Sequence, residues 1–300
     1  MRILKEKLTV LLFVCLISSN MQYAQSDKSI LRWALYFPTI KKNYMKQINE
    51  SWDYWSKLFI KKLNNKGLEG GKFSVQQYYS KTQLLEDIQN DKVDAIALFS
   101  IHYINDGFDK FFYPVFTSSK SLEEKFQKYI IICNAENQLN YIKNGELHIP
   151  ESSETELMNI WVKSKFGNDK SGDGIVIVKS PKNEIQLINA IFFGSIKYAV
   201  VTEASFSVAK ELNPQIKNKI KVIDTSPGLI NLIVALRKGY NKDYENIILD
   251  ISLNFHNSIE GKQILNLAQA ARFVEINNSD LSETVKLLKS VKKDCHKKLF

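Results

Sequence analysis

Apolar and polar positions recur along this chain at a constant offset. Residues 84–99 (LLEDIQNDKVDAIALF) and 187–202 (LINAIFFGSIKYAVVT) stand 103 positions apart. Each reads as the end of an amphipathic helix, a short polar turn (Asn90-Asp91-Lys92, then Gly194-Ser195) and a run of mostly apolar residues. Identity between the copies is low, so the pattern carries the reading. One supersecondary unit occurring twice, a small domain apart, predicts two similar α/β lobes with a cleft between them.

The units extend upstream in the same order. In the first, residues 31–37 (LRWALYF) predict a strand, 42–63 a helix, 73–78 a strand, 81–90 a helix and 93–98 a strand. In the second, 146–149 is a short strand, 153–166 a helix, 174–179 a strand, 184–193 a helix and 196–202 a strand. Continuous apolar strands alternating with helices predict a parallel sheet covered on both faces. No low-complexity linker divides the lobes, so ordered segments should make the crossings, 122–133 outward and 217–224 on the return.

The first residues bear on the compartment. Arg2, Lys5 and Lys7 precede the apolar run LTVLLFVCLI, and polar residues then lead to Tyr23-Ala24-Gln25. Charged, apolar and cleavage regions in that order predict a secretory signal over residues 1–25. The apolar run is shorter than the ~20 residues of a membrane-spanning helix. A soluble protein outside the cytoplasm follows. Cys15 offers a lipid anchor as a second reading, although Val14 occupies the place where lipoprotein signals favour a small residue.

The formal net charge is +9, but basic residues are mixed with acids, as in KSLEEKFQK. That pattern predicts a solvated surface rather than a nucleic-acid patch, with the dense KKDCHKK run read as a frayed tail. Cys133 lies in YIIICN, a buried-strand pattern, and Cys295 in the basic tail; both are expected to be unpaired. No Cys/His spacing suits a metal, so neither metal nor cofactor is expected. His102, His148, His256 and His296 are scattered, and neither a Gly-x-Ser-x-Gly elbow nor a His-Glu-x-x-His pair occurs. No catalytic residue is assigned, and an enzyme is not expected.

Several segments carry a resemblance when taken together. They are Lys92-Val93-Asp94-Ala95 followed by Tyr103, then Pro150-Glu151-Ser152-Ser153, then Ser226-Pro227 with Asn231 and Arg237-Lys238. Glu260-Gly261-Lys262-Gln263-Ile264-Leu265 and Arg272-Phe273-Val274 complete the order. This set resembles the phosphate/phosphonate-type periplasmic substrate-binding proteins of ABC transporters. The resemblance implies a type II-like, two-lobed periplasmic-binding fold. Each lobe would be a mixed, mostly parallel sheet flanked by helices, and two hinge crossings would join them. Lobe one would be 26–121 with 224–300, and lobe two 122–223. The implied function is a periplasmic, monomeric solute-binding protein of an ABC importer, with the permease as partner and no nucleic acid. Its ligand would be a small phosphonate-like or zwitterionic molecule held between the lobes. A sensory protein acting in trans on a membrane signalling receptor is the alternative.

The same resemblance selects site residues. Ser152-Ser153-Glu154-Thr155 stands where family members usually carry Ser-Thr-Ser-Gly, at a helix start whose free N–H groups suit an oxyanion. Ser153-x-x-Glu156 is also a capping box that needs no ligand. Elsewhere the chain departs from the family. A common tyrosine falls on Lys81, a histidine on Glu184, an acidic residue on Thr202, and a turn glycine on Phe99-Ser100. Strand alternation should turn one of Tyr78 and Tyr79 inward. The expected ligand-binding set is Tyr79, Lys81, Ser100, Tyr103, Ser152, Ser153, Thr155, Glu184 and Thr202. Because Glu151, Glu154 and Glu184 crowd this set with carboxylates, weak binding of inorganic phosphate is expected.

Overall fold

The computed structural model describes residues 30–38, 42–68, 72–122, 124–136, 145–151, 155–166, 175–267 and 270–297. The expected signal segment lies outside them. The chain opens with β1 (Ile30–Tyr36), α1 (Lys42–Asn65), β2 (Lys72–Tyr78), α2 (Lys81–Gln89), β3 (Ala95–Phe99), α3 (Ser100–Asn105) and β4 (Phe112–Ser119). A second series follows: β5 (Tyr129–Asn134), β6 (Gly145–Pro150), α4 (Glu156–Phe166), β7 (Ile175–Ser180), α5 (Glu184–Phe192) and β8 (Tyr198–Thr202). It ends with α6 (Glu203–Leu212), α7 (Ile216–Lys219) and β9 (Ile220–Thr225). The chain then returns through β10 (Leu232–Arg237), α8 (Lys242–Leu253), α9 (Ile259–Leu267), β11 (Arg272–Glu275) and α10 (Ser282–Lys297).

The internal repeat survives in three dimensions. Helix α2 and strand β3 recur as α5 and β8 at the same offset that the sequence shows. Leu84 and Ile88 in the first copy, and Leu187 and Ile191 in the second, are fully buried. Both polar turns use a left-handed residue at the equivalent place, Asp91 (φ 54°) and Gly194 (φ 73°). A helix that must reverse into a strand within a few residues needs that conformation, which glycine adopts freely and aspartate tolerates.

Two separate sheets result, in the orders β11-β4-β10-β3-β1-β2 and β7-β6-β8-β5-β9. Their cores are equivalent. β1 pairs in parallel with β2 and β3, as β6 does with β7 and β8. Next to β3 lies antiparallel β10, and next to β8 lies antiparallel β5. The sheets are therefore mixed rather than purely parallel. β10 and β5 each enter their sheet directly after a crossing, and that is why their direction is reversed.

The crossings are residues 120–128 and 226–231, and they bond to each other. Gln127 and Leu229 exchange backbone N–H···O bonds of 2.9 Å in both directions. Ser226 Oγ accepts from the Tyr129 N–H at 2.8 Å. Residues 217–224, expected to make the return, instead end α7 and form edge strand β9. Ile220 is buried there, and the strand pairs with β5 through a bulge between Ile131 and Ile132. The longest C-terminal element, α10, packs on both α4 and α3, with Leu287 and Leu288 in one core with Leu157 and Trp161. Thr284, fully buried, accepts the Ile230 N–H of the return crossing at 3.1 Å. Three connections thus link the sheets, two covalent and one packed.

Candidate functional site

The carboxyl ends of the strands and the helix starts that follow them define the candidate site, as is general for open α/β sheets. Ser80 caps α2 by accepting the Gln83 N–H, and Asn183 caps α5 in a reciprocal capping box with Gln186. The first helical residues are then Lys81 and Glu184, at equivalent places in the repeat and of opposite charge. Neither is bare. Lys81 Nζ lies 2.9 Å from Asp106 Oδ1, and Asp106 Oδ2 lies 3.2 Å from His102 Nδ1. Glu184 Oε2 accepts the Thr202 N–H at 2.8 Å and the Thr202 hydroxyl. Thr202 Oγ1 also accepts the Ser205 N–H and so caps α6. The Tyr36 ring stands edge-on to His102, with centroids 5.2 Å apart. Burial, and then the Asp106 charge, push the Tyr36 hydroxyl above its usual pKa.

The other expected residues divide. Tyr78 is buried and donates to Asp87, while Tyr79 is exposed, so the alternation turns Tyr78 into the core. Ser100, just after β3, is buried with a hydroxyl that has no partner among the described residues, and its N–H donates to the Asn231 carbonyl. Tyr103 does not reach the strand-end face. It is 1% exposed and its hydroxyl donates to the Phe112 carbonyl at 2.9 Å, so helical geometry points it into the core. Thr155 is buried, and its carbonyl accepts from Asn159 Nδ2. Ser152, Ser153 and Glu154 lie outside the described residues. Glu151 is exposed, its N–H bonded to the Ser180 carbonyl at 2.7 Å.

Two features were not singled out from sequence. The first is Asp106, the counter-ion that holds both Lys81 and His102; the i, i+4 spacing of His102 and Asp106 was the available signal. The second is a small cavity where the first crossing meets the start of α6, lined by Ser119, Lys125, Phe126, Lys128, Thr202 and Glu203 among others. Lys128 Nζ reaches Glu203 at 3.3 Å and Lys125 Nζ reaches Asp280 at 2.6 Å. The crossing is thus tied by charge to the start of α6 and to the turn that precedes α10. Among the described residues no His/Cys/Asp/Glu group could hold a metal ion, and no helix is long and apolar enough to cross a membrane.

Comparison with solved structures places the fold. XAC2383 from Xanthomonas citri, bound to ATP, superposes with a TM-score of 0.56 at 10% identity, over 88% of this chain and 98% of that one. PhnD1 from Prochlorococcus marinus (MIT 9301), in complex with methylphosphonate, gives 0.54 at 13% identity, over 89% and 100%. A TctC solute-binding protein from Polaromonas gives 0.53 at 10% identity, over 88% and 98%. No curated protein matches the chain by sequence. A family model described as "ABC transporter, phosphonate, periplasmic substrate-binding protein" matches residues 47–281. With that match across most of its length, the chain belongs to the phosphonate-type periplasmic substrate-binding family of ABC transporters.

Proposed function

We propose that this protein captures a small phosphonate-like zwitterion between two lobes and delivers it to an ABC permease. Family membership makes it a substrate-binding transport protein that acts outside the cytoplasm, with a small-molecule ligand and a permease partner. The ligand class and the residues that meet it are our reading. Lobe one would comprise 26–121 with 224–300 and lobe two 122–223, with hinge motion at the crossings closing the lobes on the ligand. The mature protein would be a periplasmic monomer beginning near Gln25, and it would bind without catalysis.

One observation carries the ligand class: Lys81 and Glu184 occupy equivalent helix starts with opposite charge. A zwitterion spanning the lobes satisfies both, with its acid toward Lys81 and its ammonium toward Glu184. Both Thr202 bonds fall on Oε2 of Glu184, leaving Oε1 for an N–H of the ligand. The methylphosphonate bound by PhnD1 supports an acidic phosphorus group as one end. Inorganic phosphate could pair with Lys81 but has no cationic end to offset the Glu184 carboxylate. Unit charges 4 Å apart repel by about 4 kcal/mol even at an effective dielectric of 20.

Calorimetric titration with 2-aminoethylphosphonate, methylphosphonate and inorganic phosphate tests this. The aminophosphonate should bind most tightly and phosphate least. Glu184→Gln should weaken the aminophosphonate by about tenfold or more, the worth of one charge-assisted hydrogen bond, and strengthen methylphosphonate, which has no ammonium to meet the carboxylate. Submicromolar phosphate binding would overturn the ligand class. N-terminal sequencing of exported protein checks the start near Gln25, and an intact Arg2 or a lipidated Cys15 would overturn it.

A further inference from the structure

The end of the second sheet opposite the candidate site carries a surface that capture of a small ligand does not use. Tyr129 pairs with Thr202 at the site end of that sheet, and Tyr198, Cys133 and Lys221 share one row at the other. Helix α5 enters β8 through the turn at Gly194, so Phe193 and Lys197 lie at that other end. Helix α6 leaves the site end at Thr202 and packs on α5, so its last residues return there, beside α7 and the start of β9. Two large apolar side chains protrude from this end: Phe193 is 79% exposed and Leu212 75%. Val208, one turn before Leu212, is exposed as well. Phe206 and Ala209 hold the inner face of α6 to the core, so Val208 and Leu212 form an outer apolar face. Such a face on a folded protein marks a contact with something other than water.

The charge around it selects the occupant. Lys197, Lys217 and Lys219 are exposed and Lys210 is half-buried. None of the four forms an ion pair with a described residue. Lys210 Nζ stands 4.9 Å from the centroid of the Phe206 ring, and Lys219 Nζ 4.8 Å from that of Phe192. The Phe192 ring meets Phe193 edge-on at 5.1 Å, which joins cations and protruding apolar groups in one surface. The acids of this end, Glu136, Glu146 and Glu211, are outnumbered by these four lysines and Lys221, and Glu146 faces His148 at 3.3 Å. A purely apolar partner would bury ammonium groups without counter-charge. A dissolved polyanion would leave Phe193 and Leu212 in water. Anionic lipid offers both partners, phosphates for the lysines and an acyl boundary for the apolar side chains.

We propose that this end of the second sheet, where α5 and α6 terminate, docks on an anionic membrane surface. Phe193 and Leu212 enter the interface, and Lys197, Lys217 and Lys219 meet lipid phosphates. The candidate site lies at the opposite end of the same sheet, so docking leaves it open to solvent. The docked protein stays in the layer of its permease partner while the site loads. Nothing in this depends on which ligand is bound.

Co-sedimentation of the exported protein with vesicles tests it, comparing equal parts of phosphatidylglycerol and phosphatidylcholine with phosphatidylcholine alone. At about 0.1 M salt, where the screening length is still ~10 Å, wild type should partition onto the anionic vesicles and not the neutral ones. Lys217→Glu/Lys219→Glu should weaken that partition by about twentyfold or more, each lysine at an anionic surface being worth about fivefold. Phe193→Ser/Leu212→Ser should weaken it by about tenfold or more. Lys61→Glu/Lys66→Glu makes the same charge change on exposed lysines at the end of α1 and should leave the partition near wild type. Every substituted side chain is exposed, so all variants should melt with wild type. The indole introduced by Phe193→Trp should be quenched by brominated lipid in the anionic vesicles. Absence of partition onto anionic vesicles, or equal partition onto neutral ones, overturns the inference. So does an equal loss in the Lys61→Glu/Lys66→Glu variant, or an unquenched indole in vesicle-bound protein.

Discussion

Asp91 and Asp94 stand three residues apart in the first repeat and should respond very unequally to substitution. Asp94 is 7% exposed and accepts three N–H groups of Arg32: the backbone N at 2.9 Å, Nε at 2.8 Å and Nη2 at 2.8 Å. It joins β1 to the start of β3, and its own carbonyl accepts the Arg237 N–H. Asp94→Ala would leave a guanidinium and a backbone N–H under the sheet with no acceptor. Breaking a buried pair costs roughly 3–5 kcal/mol. The Arg32 side chain is 30% exposed, so water recovers part of that, and about 2–4 kcal/mol is expected. Asp91 is different. Its carboxylate is 79% exposed in a single pair with Arg237 at 2.7 Å, and its backbone is left-handed. Asp91→Gly loses a pair worth about 0–1 kcal/mol and relieves a backbone cost of similar size. The net should stay within about 1 kcal/mol of wild type. Urea denaturation followed by tryptophan fluorescence measures both, since Trp33 adjoins Arg32. At a slope of roughly 1–3 kcal/mol per molar, Asp94→Ala should lower the midpoint by about 1 M or more. Equal losses in the two variants would refute the assignment of Asp94 as the anchor and Asp91 as a turn residue.

Further expectations follow from other sites. Gly228→Ala would place a methyl 2.8 Å from Phe126 Cβ at the touching crossings. About 1–3 kcal/mol of lost stability is expected, while Gly145→Ala, at 3.5 Å from the Tyr198 ring, should be far milder in the same urea assay. Thr202→Val removes the α6 cap and both the hydroxyl bond to Glu184 and the contact with Ser205; a loss of about 1–2 kcal/mol is expected by thermal melting. Tyr78, Tyr103, Tyr113 and Tyr240 have hydroxyls pushed up chiefly by burial. Their folded values exceed the unfolded value of about 10, so their contribution is whole below pH 10 and is lost as pH rises beyond it. Melting temperature should fall steeply above pH 10, with tyrosinate absorbance appearing at the unfolding transition; gradual ionisation of these tyrosines in the folded protein would contradict this.

The elements of the repeat were legible because both copies obey one pattern, an amphipathic helix and then an apolar strand on either side of a turn. The strands β5 and β10 were harder to place. YIIICN and LIVALR announce burial, but an apolar run has no direction, and their antiparallel entry beside β8 and β3 depends on which sheet the chain has just left. Edge strand β9 was read as a crossing because only one of its faces is covered, so its apolar signal is weak. At the site, the opposite charges of Lys81 and Glu184 were visible in sequence. Their partners were not: Asp106 lies a helix and a strand beyond Lys81, and Thr202 lies 18 residues beyond Glu184. Tyr103 was misread because a short helix start and a core-facing tyrosine one turn on share one stretch of sequence; the Phe112 carbonyl that fixes it is set by tertiary packing.

The central claim is that a small zwitterion draws the two sheets together. Small-angle X-ray scattering with and without saturating 2-aminoethylphosphonate tests it most directly. The account predicts a smaller radius of gyration on saturation in wild type, and no contraction in the Lys81→Gln/Glu184→Gln double variant at the same concentration. A scattering profile unchanged in wild type at millimolar 2-aminoethylphosphonate, or an equal contraction in the double variant, would contradict it.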